Sequence, residues 1–78
     1  MEVKILGTGC AKCKSLERKV RELVERHNIS AEVLYVDDIN EMVESGIMMT
    51  PGLVIDGEVK SFGIVPKEPQ LLKWLNGE

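Results

Sequence analysis

The sequence predicts an α/β fold in the order β-α-β-α-β-β-α, a four-stranded mixed sheet with helices on both faces. Three observations carry that prediction. Short aliphatic and β-branched runs alternate with segments whose apolar residues recur at spacings of three and four. Gly, Pro and Asn stand where one kind of segment gives way to the other. Asp56-Gly57 separates the last two strand-like runs and is a two-residue hairpin signal. At 78 residues the chain is expected to form one domain over residues 1–78, near the lower end of what folds unaided.

The elements follow in order. Glu2 to Leu6 is a short apolar strand, broken by Gly7-Thr8-Gly9, which permits a tight turn and leaves little bulk around Cys10. From Ala11 to about His27 the pattern is helical. Cys13, Leu16, Val20, Leu23, Val24 and His27 share one face. The other faces are charged, and Glu17–Arg21 and Glu22–Arg26 are supporting i,i+4 pairs. Asn28-Ile29-Ser30 is a turn and Ala31 to Val36 a second strand. Asp38-Ile39-Asn40-Glu41 matches a capping box, so a short helix starts at Asp38, with Ile39, Met42 and Val43 as its expected buried face. Ser45-Gly46 ends it. Leu53-Val54-Ile55 is a third strand, and Glu58 to Phe62 returns antiparallel as a fourth. Glu58 and Lys60 suit an edge that resists sticking. Gly63 breaks this strand, Pro66 and Pro69 fit a helix start, and Leu71, Leu72 and Leu75 form the inner stripe of a helix ended by Asn76-Gly77. Strands 1 and 2, joined by a helix, should be parallel with a right-handed crossover. Strand 3 is expected parallel to strand 1 and strand 4 antiparallel.

Composition excludes several function classes. Apolar residues are 44% and charged residues 29%, a globular balance. The net charge of −3, with Lys and Arg dispersed and only three aromatic residues, gives no attraction for nucleic acid or for a membrane surface. No apolar stretch reaches membrane-spanning length. Met1 runs directly into the first strand-like segment, so no leader and a reducing, cytoplasmic location are expected. A monomer is expected.

Both cysteines lie in Cys10-Ala11-Lys12-Cys13, where the first strand gives way to the first helix. Two thiols at a helix start, three residues apart, have Cβ atoms roughly 5–6 Å apart, close to what a disulfide needs. The helix N-terminus favours a thiolate. Cys13 falls on the apolar stripe and should be buried, while Cys10 precedes it and should sit near the N-cap, more exposed. That is the layout of a thiol–disulfide exchange site, with Cys10 as nucleophile and Cys13 as resolver. Lys12 is placed to hold Cys10 ionised, or else is an ordinary surface lysine. A zinc site would need further ligands, and only His27 is at hand; no metal site is expected. A structural disulfide this short would constrain the unfolded chain little. Copper(I) carriage on the two thiolates is the stronger rival, with Met48 and Met49 as conceivable soft ligands; methionines near a core are more often gap filler. A non-enzymatic adaptor would be suggested by loss of a cysteine, and neither is lost.

The chain resembles the thioredoxin superfamily, and most closely its very small archaeal and bacterial members, the redox-active disulfide proteins. The likeness rests on Gly7-Thr8-Gly9-Cys10-Ala11-Lys12-Cys13, on Thr50-Pro51-Gly52-Leu53-Val54-Ile55-Asp56-Gly57, on Gly63 and on the element order, and covers essentially the whole chain. It implies a minimal thioredoxin fold, a cis peptide bond at Thr50-Pro51, and reduction of protein disulfides by Cys10 and Cys13. It further implies substrate contacts at Ala11, Lys12, Thr50, Pro51 and Gly63. No cofactor beyond the Cys10–Cys13 disulfide is expected. The chain departs from the family in having Gly9 before Cys10, Ala11-Lys12 between the cysteines, and Lys4 but no internal acid on the strand leading to them. After Gly63 it reads Ile64-Val65-Pro66-Lys67, without the acidic glutathione patch of glutaredoxins. The reductant expected is therefore a thioredoxin-reductase-type flavoprotein rather than glutathione, docking on an apolar rim formed by Ala11, Met49 and Ile64.

Overall fold

The structure, a computed structural model, describes residues 1–77. The elements are β1 (Glu2–Leu6), α1 (Ala11–Arg26), β2 (Glu32–Val36), α2 (Ile39–Glu44), β3 (Gly52–Ile55), β4 (Glu58–Phe62) and α3 (Glu68–Leu75), in the order expected from the sequence. The strands form one mixed sheet ordered β2-β1-β3-β4. β1 and β2 run parallel, and β4 pairs antiparallel with β3. The two-residue connection is a type I′ turn, with φ of 49° at Asp56 and 83° at Gly57, a left-handed pair that Asp-Gly tolerates better than most sequences.

β3 runs antiparallel to β1, not parallel as the sequence suggested. The reason lies in the length of α2. Its six residues rise about 9 Å, whereas a five-residue strand covers about 17 Å. So short a helix does not carry the chain back to the start of the sheet. The chain re-enters at the end where β2 finished, and Gly52 pairs with Leu6. This reversal has a functional consequence: it brings Pro51 to the end of β1 from which the dithiol loop departs.

The alternation along β1 separates two layers. Val3 and Ile5 face α1 and α3, packing with Leu16, Val20, Leu23, Leu53, Ile55, Leu71 and Leu75. Leu6 faces the other way, with Met42, Ile47 and Val54. The first layer is the main core. Arg26 ties its two helices at the surface, bonding Glu22 on α1 and, at 3.0 Å, Glu68 on α3. The expected Glu17–Arg21 pair also forms, at 3.0 Å.

The second layer is thin and differs from expectation. Met42 is buried, but Ile39 and Val43 are 68% and 72% exposed. A helix this short presses only one side chain onto the sheet. Ile47, returning after the Gly46 turn, fills the remaining space above Gly52, where any Cβ would collide with it. The capping box is half formed. The Asp38 carboxylate accepts from the Asn40 N–H at 2.9 Å, while the Glu41 carboxylate accepts from Lys4 Nζ at 2.6 Å. That pairing answers the charge of Lys4, which Glu2 on the same face of β1 also approaches at 3.8 Å, and it raises the Lys4 pKa. His27 leaves the stripe of α1: the helix stops at Arg26, and His27 is its exposed C-cap.

Candidate active site

The loop from Gly7 to Cys10 carries the chain from the end of β1 to the start of α1. Cys10 is the N-cap residue, in extended conformation with φ −69° and ψ 167°. Its carbonyl accepts the first helical bond, from the Lys14 N–H at 3.0 Å. Its Sγ accepts from the Cys13 N–H at 3.2 Å. A cysteine thus occupies the place where Ser, Thr, Asp or Asn usually satisfy a free helix donor. A thiolate there would meet that donor and the positive end of the helix together, and the first turn holds no acidic side chain to oppose it.

Cys10 and Cys13 form a disulfide with their Cα atoms 5.0 Å apart. Cys13 has no solvent exposure, whereas Cys10 is half-buried. The burial of Cys13 requires Gly7. A Cβ at Gly7 would lie 2.8 Å from both Cβ and Sγ of Cys13, so the strand end and the helix meet only without a side chain there. The Tyr35 hydroxyl accepts from the Gly9 N–H at 2.8 Å, fastening the loop one residue before Cys10.

The second segment of the site comes from the start of β3. The Thr50-Pro51 peptide bond is cis, as the resemblance implied. Pro51 is fully buried and its carbonyl accepts from the Gly63 N–H at 2.9 Å. Gly63, at φ 78°, also lets Met49 lie close against it, since a Cβ there would be 3.1 Å from that of Met49. Of the residues singled out by sequence, Cys10 and Cys13 are joined directly, and Pro51 and Gly63 are joined to each other. Ala11 and Lys12 stand exposed at the helix start. The third part of the expected rim, Ile64, is 55% exposed.

An open groove of about 720 Å3 runs between Thr8 of the dithiol loop and the exposed side of α2. Its walls include Thr50, Met49, Met48, Val43 and Ile39. Met48 and Met49 are 88% and 62% exposed, so they line a surface and are not the gap filler that the sequence suggested. The groove and Tyr35 were not apparent from sequence. The signal for the groove was the shortness of the Ile39–Glu44 segment, which leaves two of its three apolar side chains without a sheet to cover. Among the described residues, no three His, Cys, Asp or Glu side chains gather to hold a metal, and no helix is long and apolar enough to cross a membrane.

Known proteins are similar to this chain over almost its whole length. The family described as "Thioredoxin domain" matches residues 1–76. A protein of Methanothermobacter thermautotrophicus named thioredoxin is 38% identical over 76 residues, covering 97% of this chain and 99% of its own. A protein of Methanocaldococcus jannaschii, also named thioredoxin, is 34% identical over 80 residues, covering 97% and 92%. With a disulfide closed across the start of α1 and relatives matching almost end to end, the chain belongs to the thioredoxin family and is a thiol–disulfide oxidoreductase.

Proposed function

We propose that this protein reduces disulfides in other proteins, with Cys10 as the attacking thiolate, Cys13 as the resolving thiol and the dithiol as its only redox group. The Cys10 thiolate attacks a substrate disulfide and forms a mixed disulfide, releasing one substrate sulfur as a thiolate. Cys13, deprotonated, then attacks Cys10 Sγ. The Cys10–substrate bond breaks, its electron pair leaves with the second substrate sulfur, and the Cys10–Cys13 bond forms. The observation that carries this order is the contrast between the two sulfurs: one at the helix N-cap with a backbone donor, the other without solvent contact. Thr50, on the wall of the groove, supplies backbone for an extended substrate segment; Gly63, bonded to Pro51, and Ala11 and Lys12, exposed beside Cys10, supply its further contacts.

The proposed electron donor is a flavoprotein reductase of the thioredoxin-reductase type. The segment Ile64-Val65-Pro66-Lys67 after Gly63 offers no carboxylate for the amine of glutathione. Exposed Lys67 alone gives a carboxylate little affinity. Exposed Ala11, Met49 and Ile64 suit a protein surface better. The proposed setting is the reducing cytoplasm, where such a dithiol is regenerated, and the proposed working unit is a monomer.

Insulin-disulfide reduction tests the function and its donor together. Turnover is expected with dithiothreitol or with the flavoprotein and NADPH, and is expected to be lost in Cys10→Ser. Turnover driven by glutathione at the flavoprotein rate would overturn the donor assignment. Full activity in Cys10→Ser would overturn the role of the dithiol.

A further inference from the structure

Tyr35 is the chain's single tyrosine. It stands on β2 opposite Ile5 in the parallel register and packs against the main core with its ring half-buried. Its hydroxyl reaches past the end of β1 into the dithiol loop. There it accepts the Gly9 N–H at 2.8 Å. The oxygen's second neighbour is defined by Gly7. A Cβ on Gly7 would lie 2.7 Å from the Tyr35 oxygen and 2.8 Å from Cys13 Sγ, so oxygen and sulfur border the same missing side chain. A phenol whose oxygen accepts one bond still has its own O–H to donate.

Cys13 needs such a donor. It has no solvent exposure, and burial disfavours the thiolate that must form before it can attack Cys10. The described residues bury no charged side chain that could offset this. On the segments around the sulfur the titratable groups are Cys10 and Tyr35. Lys12 and Lys14 of α1 and Asp37 after β2 are all exposed, and Gly7, Thr50 and Pro51 carry no charge. One helix donor at this end, the N–H of Cys13 itself, is taken by Cys10 Sγ.

We propose that Tyr35 is a positioning residue for the exchange reaction: it fastens the Gly9 turn and turns its O–H onto Cys13 Sγ when the disulfide opens. This rests on the reading of Cys10 as attacker and Cys13 as resolver. In the resolving step Cys13 loses its proton to solvent, and the departing substrate thiolate takes one up. From its deprotonation until the attack on Cys10 the negative charge sits on Cys13, with the Tyr35 O–H as its hydrogen-bond donor; on attack the charge passes to the departing substrate sulfur.

The test follows thiolate release from an aromatic disulfide in a stopped-flow instrument, using reduced full-length protein. Attack by Cys10 gives a phase proportional to reagent, and resolution gives a phase independent of it. Tyr35→Phe is expected to leave the first phase within about twofold and slow the second about tenfold at neutral pH, as losing a hydrogen bond to a charged sulfur should. The deficit should shrink as pH rises, because the profile moves to alkali by about one unit. A deficit equal at every pH would mean that the tyrosine only tethers the loop, and no deficit would mean that it does nothing; either overturns the proposal. Biosynthetic replacement by monofluorotyrosine touches position 35 alone and makes a stronger donor. It should speed resolution at neutral pH in a protein of unchanged shape, and an unchanged or slower rate counts against the donor role. Cys13→Ser should keep the first phase and lose the second. If it loses the first, the assignment of the two cysteines has failed, whatever Tyr35→Phe shows.

Discussion

Cys10 and Cys13 sit in different surroundings, although the two residues are three apart. At Cys10 the charge forms beside a backbone donor, at the positive end of a 16-residue helix with no acidic residue in its first turn. Reduced Cys10 is therefore expected to titrate below the free-thiol value of about 8.5, read from thiolate absorbance in Cys13→Ser. Lys12 is exposed and adds little; Lys12→Gln should raise that titration by less than about half a unit, an effect that salt removes. A value for Cys10 at or above the free thiol would contradict the role given to the helix end. The placement of the two cysteines was legible in the sequence, because the apolar stripe of Leu16, Val20 and Leu23 runs back to Cys13, while Cys10 precedes the helix at its N-cap. Tyr35 was not. On β2 it reads as one more core aromatic. Only the register that sets it opposite Ile5, together with the missing side chain at Gly7, brings its hydroxyl to the dithiol.

At the scale of the element, the boundaries of β1, β4 and the Asp56-Gly57 hairpin could be read from composition, since each depends on residues within the segment. The direction of β3 could not, because it depends on how far α2 carries the chain. Periodicity shows that a helix is short, but not on which side of the sheet the chain returns. The same short helix explains the two misplaced side chains, Ile39 and Val43, and leaves Glu41 free to reach Lys4. This ion pair gives a prediction with a definite sign. The Lys4 pKa is raised, first by the hydrogen bond and then by the charge of Glu41. The stabilisation is thus fully present below the unfolded lysine value of about 10.4 and is lost as pH rises through the higher folded value. Urea unfolding at rising alkaline pH should show this loss in the native chain and a flatter response in Glu41→Gln. An identical alkaline dependence in both would remove the pair from the stability of the thin layer.

For the whole molecule, the two layers divide the work. The thick layer of α1 and α3 holds the sheet, and α1 carries Cys13 buried. The thin layer leaves an apolar groove open beside the dithiol loop, where a substrate segment can lie. Val43 is 72% exposed, so Val43→Lys should change stability little. Burying a valine side chain is worth about 1.5 kcal/mol, so the variant should lower kcat/KM for a protein disulfide about tenfold. It should leave the rate with a small aromatic disulfide unchanged. Equal rates for both substrates would place protein docking elsewhere. The central claim is the division of labour between the sulfurs, and the most direct measurement is mass spectrometry of trapped mixed disulfides. Cys13→Ser and Cys10→Ser, each reduced and then exposed to a disulfide-bonded protein substrate, are compared after acid quenching. The account predicts stable adducts on Cys10 in Cys13→Ser and almost none in Cys10→Ser. Adducts accumulating instead on Cys13 in Cys10→Ser would contradict it.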